Sequence, residues 1–232
     1  MPAAVLEFAS REEASGVAAE MAAKALQRDI TGQGHASLFV SGGSTPEEMF
    51  VQLRREEIDW PRVTVGLVDE RWVAPDDPES NEKLVRTHLL RDKAAAAGFL
   101  PMWMPGCEPE QAAADRSRAY APHCNRASFM LLGMGLDGHT ASWFPGEPTL
   151  RYLSSRSNTQ TVAAIRAEGA CTPQRLTLTG RPVADAVRAV LLVFGKEKRA
   201  KLEEARKADP LLCPVRFAMD GLGERLSIVW AP

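Results

Sequence analysis

Four short, largely apolar runs recur along the chain, at Ala36–Val40, Val63–Val68, Ser128–Leu132 and Val187–Phe194. They are too short for helices and lack the apolar–polar alternation of a strand with one wet face, so each predicts a strand covered on both faces. Gly, Ser, Asp or Pro follows every run, and the runs alternate with helix-compatible segments at Pro46–Arg55, Ser80–Arg91, Gln111–Tyr120 and Lys196–Lys207. That alternation predicts an α/β protein on a mainly parallel sheet. Thr161–Ile165, Arg175–Thr179 and Leu226–Trp230 are weaker strand candidates. Ser10-Arg11-Glu12-Glu13 has the capping-box order and predicts a first helix reaching Arg28. Ala94–Ala97 and the Pro-rich stretch Pro101–Pro109 read as loop. No repeat, low-complexity tract or break in composition divides the 232 residues, which predicts a single domain over 1–232.

In open parallel sheets the ligand sits beyond the carboxyl ends of the strands, so the residues just after each run carry the functional expectation. Composition narrows what that ligand can be. Twenty-eight Lys and Arg against 30 Asp and Glu give a net charge of -2, which excludes a global basic surface for nucleic acid or an anionic membrane. Any anion must be gripped locally. The four cysteines lie 17, 47 and 42 residues apart, spacings of neither a zinc ribbon nor a redox pair, and read as buried thiols of a reducing cytosol. No apolar run approaches the roughly 20 residues needed to cross a bilayer, and the first residues lack the order of a secretion signal. A cytoplasmic protein is expected.

Three post-strand segments are chemically loaded. Ser41-Gly42-Gly43-Ser44-Thr45-Pro46-Glu47-Glu48 combines two glycines with Thr45 as expected N-cap and Pro46 as first helical residue, a ready phosphate site. It also reads as a plain strand–turn–helix connection. The lysine of a Walker loop is missing, and Pro46 stands where a nucleophile elbow needs glycine. Val68-Asp69-Glu70-Arg71-Trp72, with Ser80-Asn81 after it, puts two acids and an arginine at the end of a buried strand. Such charges are costly unless they pair with one another or meet a ligand. Finally, Gly133-Met134-Gly135-Leu136-Asp137-Gly138-His139 satisfies the dinucleotide glycine pattern. That pattern also needs an acid about 20 residues on, and no Asp or Glu occurs from Pro148 to Ala167. What remains is a glycine-rich turn in which Asp137 can orient the imidazole of His139 and fix its tautomer. His35, His88 and His123 have no metal-ligand partner at useful spacing, and no metal is expected.

These segments, together with Arg175–Thr179 and Gly195–Arg199, resemble the signature of the 6-phosphogluconolactonases, within the wider group that includes glucosamine-6-phosphate deaminases. The match runs from Ser41 to about Arg199. The resemblance implies a Rossmann-like three-layer α/β/α sandwich that hydrolyses 6-phospho-glucono-1,5-lactone in the oxidative pentose phosphate pathway. It implies a phosphorylated sugar lactone as partner, no cofactor, and a monomer or small homo-oligomer. Deaminases usually continue the histidine turn with Asn-Glu and end the acidic strand Asp-Glu-Tyr. Here the stretches are Ser142-Trp143-Phe144-Pro145 and Asp69-Glu70-Arg71, as in the lactonase branch.

Opening a lactone with water needs a general base, stabilisation of an oxyanion and an acid for the leaving ring oxygen. His139 is the expected base and then acid, with Asp137 orienting it and Arg71 facing the substrate's anionic groups. Gly42, Gly43, Ser44 and Thr45 are expected to hold the phosphate, with Asp69, Glu70, Asn81 and Gly135 also against substrate. Lactonases commonly carry a phosphate-side lysine in a Lys-Pro-Pro stretch before the strand that starts here at Arg175. This chain reads Ala170-Cys171-Thr172-Pro173-Gln174, so Arg166 or Lys196 is expected to take that role. The competing readings are a deaminase- or isomerase-like sugar-phosphate enzyme and a non-catalytic sugar-phosphate binder.

Overall fold

A computed structural model describes residues 4–168, 170 and 172–232. In chain order the elements are β1 (Ala4–Glu7), α1 (Arg11–Gln33), β2 (Ala36–Val40), α2 (Glu47–Leu53), β3 (Val63–Leu67), β4 (Asp69–Arg71), α3 (Asn81–His88), β5 (Gly98–Leu100) and α4 (Pro109–Cys124). There follow β6 (Phe129–Leu132), α5 (Leu150–Leu153), β7 (Val162–Arg166), β8 (Gln174–Leu178), α6 (Gly180–Asp185), β9 (Ala189–Phe194), α7 (Lys196–Ala205), α8 (Val215–Leu222) and β10 (Leu226–Ala231).

The apolar runs become the centre of a seven-stranded sheet ordered β1-β10-β9-β6-β2-β3-β5, every pairing parallel. All residues of β2 and β6 are buried, as strands covered on both faces must be. Ala14, Ala18, Ala22 and Leu26 of α1 are buried, and the small alanines let the helix lie close to the sheet. Ser10 caps α1 by accepting from the Glu13 amide at 3.1 Å, and the Glu13 carboxylate accepts from the Ala9 amide at 3.1 Å. No described helix is long and apolar enough to cross a membrane.

This strand order positions the site. From β2 the chain steps to β3 and β5 on one side, then returns to place β6 against the other side of β2. The loops after β2 and β6 therefore diverge at the point where the winding reverses, which opens a crevice between them. Those loops are Ser41–Pro46 and Gly133–His139, two of the three loaded segments.

Several expectations are corrected. Thr161–Ile165 and Arg175–Thr179 do not join the parallel sheet: as β7 and β8 they pair antiparallel with each other, and β8 also pairs antiparallel with β4, in the order β4-β8-β7. The acidic segment is thus a strand of its own, turned out of the main sheet after Leu67. Helix α2 begins at Glu47, with Pro46 in the capping position and no side-chain cap bond, so Thr45 is not the N-cap. Helix α1 continues past Arg28 to Gln33. The stretch read as loop around Ala94–Ala97 is a 3-10 turn at Asp92–Ala96 leading into edge strand β5. Of the cysteines, Cys124 and Cys213 are buried thiols, Cys107 is partly exposed, and Cys171 lies outside the described residues.

Candidate active site

A cleft of about 270 Å³ opens at the crevice, walled by Ser41–Thr45, Asp69, Arg71, Asn81, Gly133–Gly135, His139, Ala141, Arg175 and Lys198. On one wall, the turn after β6 folds back on itself: the Gly135 amide donates to the His139 carbonyl at 2.9 Å, and the Gly138 amide to Gly135 at 3.1 Å. This turn brings Asp137 Oδ1 to 2.6 Å from His139 Nδ1, and the same oxygen accepts from the His139 backbone amide at 3.1 Å. A Cβ on Gly135 would stand 2.3 Å from the imidazole and 2.5 Å from Asp137 Oδ1, so only glycine leaves room for the pair. Burial works to raise the Asp137 carboxyl, but the hydrogen bonds and charge of His139 outweigh it, and it sits below the ordinary carboxylate range. A carboxylate held at Nδ1 leaves Nε2 as the acceptor nitrogen of a neutral ring. His139 Nε2 bonds no described residue.

The opposite wall is the loop after β2. A Cβ at Gly42 would meet Asn81 Oδ1 at 1.8 Å, so glycine there lets the first residue of α3 close against the loop. Asn81 in turn donates through Nδ2 to the Asp69 carbonyl at 2.8 Å. Gly43 has φ of 86° with open space around it.

Glu70 differs from its expected role. It is fully buried, absent from the cleft wall, and serves the start of α3. Its carboxylate accepts from the amides of Asn81 (2.7 Å), Glu82 (2.8 Å) and Arg71 (2.8 Å) and from Ser80 Oγ (3.1 Å). Burial pushes this carboxyl from the ordinary 4.5 up to about 7, against the four bonds that favour its charged form. Asp69 does reach the cleft wall, where Oδ2 accepts from Ser142 Oγ at 2.6 Å and lies 4.0 Å from Arg175 Nη1.

Three cations serve the cleft. Arg71 stands there as expected, its Nη1 donating to the Glu79 carbonyl and its buried Nε without a hydrogen-bond partner among the described residues. Arg175 and Lys198 line the cleft, whereas Arg166 and Lys196, expected there, do not. Arg166 instead walls a separate depression with Phe144, Glu147 and Glu168. The reason is local. Arg166 pairs with Gln174 while Arg175 pairs with Ile165, so the two arginines occupy adjacent ladder positions, and Arg175 lies opposite Arg71 of β4 and so faces the cleft side. Lys198 lies two residues beyond Lys196, at a different angle around α7. Burial lowers both Arg175 and Lys198, with Asp69 partly restoring Arg175 and Arg11 further lowering Lys198. Arg175 was legible as the first residue of a strand candidate, whereas Lys198 had no distinguishing signal among four charged neighbours. Among the described residues no three His, Cys, Asp or Glu side chains converge as a metal site.

Residues 9–228 match the family model described as glucosamine-6-phosphate isomerases/6-phosphogluconolactonase. The chain is 42% identical over 204 residues to a 6-phosphogluconolactonase of Rhizobium meliloti, covering 88% of each. A 6-phosphogluconolactonase of Xylella fastidiosa is 39% identical over 210 residues, covering 88% of this chain and 86% of that one. Among solved structures, a 6-phosphogluconolactonase from Shewanella baltica superposes with a TM-score of 0.94 at 30% identity, over 99% of this chain and 98% of that one. The chain belongs to the glucosamine-6-phosphate isomerase and 6-phosphogluconolactonase family.

Proposed function

We propose that the chain hydrolyses 6-phosphogluconolactone, with His139 activating the attacking water. The observation that carries this reading is the Asp137–His139 pair, tied at 2.6 Å through Nδ1, on the wall of a cleft that also holds Arg71, Arg175 and Lys198. The close relatives named 6-phosphogluconolactonase supply the substrate class.

Water attacks the lactone carbonyl as His139 Nε2 takes its proton, and the cations of the cleft stabilise the oxyanion that forms. The tetrahedral intermediate then collapses by breaking the bond to the ring oxygen, which takes the proton back from the imidazolium. The product is an open-chain hydroxy acid. Asp137 keeps the ring in one tautomer and stabilises the imidazolium between the two transfers. The loop Gly42–Thr45 and the cleft's cations hold the phosphate, which fixes the lactone against His139. Two buried polar atoms of cleft residues, Ser41 Oγ and Arg71 Nε, have no partner among the described residues, as expected of groups that meet a polar ligand. The same reading takes the enzyme to be a cytoplasmic monomer or small homo-oligomer that needs no metal.

The test follows acid release from freshly generated 6-phosphogluconolactone, with ammonia release from glucosamine 6-phosphate in parallel. A lactone rate equal to the spontaneous one would overturn the proposal, and ammonia release would favour the deaminase reading.

A further inference from the structure

Phe144 ends the turn that begins at His139. Its ring centroid lies 4.5 Å from that of His139, tilted by 38°, and the guanidinium carbon of Arg175 stands 5.3 Å over the same ring. One aromatic ring therefore touches both the base and a cation of the cleft. Yet Phe144 is absent from the cleft wall and borders the neighbouring depression, behind the two groups it supports.

The backbone around this ring is tightly tied. Thr140 Oγ1 donates to the Gly133 carbonyl at 2.8 Å, the Ser142 amide donates to Thr177 Oγ1 at 3.2 Å, and Trp143 Nε1 donates to the Leu178 carbonyl at 2.9 Å. Ser142 Oγ adds its 2.6 Å bond to Asp69. The segment that carries the ring is thus tied to the second sheet, through Thr177 and Leu178 of β8 and Asp69 of β4, as well as to the Gly133 loop.

The two groups it touches need that support. Asp137 pins His139 only at the Nδ1 edge, which leaves the imidazole free to rock about that bond, since the last torsion of a histidine is broad. Arg175 is held at Nε by the Thr172 carbonyl at 3.1 Å, and its Nη1 is 4.0 Å from Asp69, too far for a hydrogen bond. The face of an aromatic ring within about 6 Å attracts a guanidinium and fixes its plane.

We propose that Phe144 is a positioning residue that sets the separation and orientation of His139 and Arg175 without touching substrate. The proposal rests on the lactonase reading for its kinetic consequence, but its geometric content does not. If the base and the anion-facing cation are registered through one ring, removing the ring loosens both, and a misplacement on the order of 1 Å can cost up to about a hundredfold in rate. A leucine of similar bulk keeps the space filled but supplies neither the flat face for the imidazole nor the attraction for the cation.

The experiment compares wild type, Phe144→Leu and Phe144→Tyr, first confirmed as folded by circular dichroism. With the phosphorylated lactone, Phe144→Leu is expected to lower kcat about tenfold and raise KM about tenfold, and Phe144→Tyr to restore both to within about twofold. With unphosphorylated glucono-1,5-lactone, only the loss in kcat should remain. Calorimetric binding of 6-phosphogluconate, which requires no turnover, should weaken about tenfold in Phe144→Leu and recover in Phe144→Tyr. Kinetics and binding of Phe144→Leu equal to wild type overturn the proposal, as does a Tyr variant no better than Leu. Should Phe144→Leu not fold, Phe144→Met carries the same comparison. A wild type without lactonase activity refutes the functional reading alone, because the binding arm still decides the role of Phe144.

Discussion

Glu70 offers a test in which two large effects oppose each other and the structure says which wins. Its carboxylate is sealed at the start of α3, accepting three backbone amides and one hydroxyl. Four such bonds favour the charged form, yet burial outweighs them and the carboxyl rises from 4.5 to about 7. A folded-state value above the unfolded one means that the folded chain binds the extra proton. The stabilisation is therefore complete below about pH 4.5 and is lost as the pH rises through 7, by about 3 kcal/mol in all. Between pH 5 and 8 the loss is about 2–3 kcal/mol. Glu70→Gln keeps the shape but cannot ionise. Its amide nitrogen must face either the Glu82 amide or the amides of Arg71 and Asn81, which strands a buried donor at a cost of about 1–3 kcal/mol at every pH. Urea denaturation of both proteins at pH 5, 6, 7 and 8 should show the wild type ahead at pH 5 and the gap closing or reversing by pH 8. A gap that stays constant refutes the reasoning. Such a constant gap means that the four hydrogen bonds prevail over burial and hold Glu70 as a conventional cap, ionised throughout this range.

Other expected outcomes concern the cleft. His139→Ala should lower turnover at least about a hundredfold while leaving 6-phosphogluconate affinity within about threefold, and unchanged turnover removes His139 from the mechanism. Lys198→Ala should raise KM for the phosphorylated lactone about tenfold or more without affecting an unphosphorylated lactone; equal effects on both would detach Lys198 from the phosphate. Gly42→Ala places a methyl 1.8 Å from Asn81 Oδ1 and should cost about 1–3 kcal/mol by displacing Asn81. Gly43→Ala meets open space but strains a residue at φ of 86°, at about 1–2 kcal/mol. Thermal denaturation ranks the two, and a milder effect at Gly42 would contradict the packing described.

The sequence made legible what depends on contiguous residues. The strands β2, β3, β6 and β9 announce themselves because both faces are largely buried and nearly every position is apolar. The Asp137–His139 pair is visible because one turn carries both partners. What the sequence did not disclose depends on pairings between distant segments. Asp69–Arg71 is too short and too polar to read as a strand, and it becomes one only because β8 lies antiparallel beside it. That pairing aligns Arg71 with Arg175 and turns Glu70, the residue between its two cleft-lining neighbours, inward to the start of α3. Alternation along three residues thus assigns Asp69 and Arg71 to the cleft and Glu70 to the core. A chain of net charge -2 needs no surplus of positive charge to hold a phosphorylated substrate, because Arg71 and Arg175 arrive at one cleft from strands about 100 residues apart in sequence, with Lys198 brought in by α7. The cost of placing like charges together falls on the folded state. The carboxylate of Asp69, fixed by Ser142, relieves part of it for Arg175, and on the proposed function an anionic substrate would relieve the rest. Substrate affinity and the stability of the empty cleft are therefore opposed, and replacing one of these cations should weaken binding more than it weakens the fold.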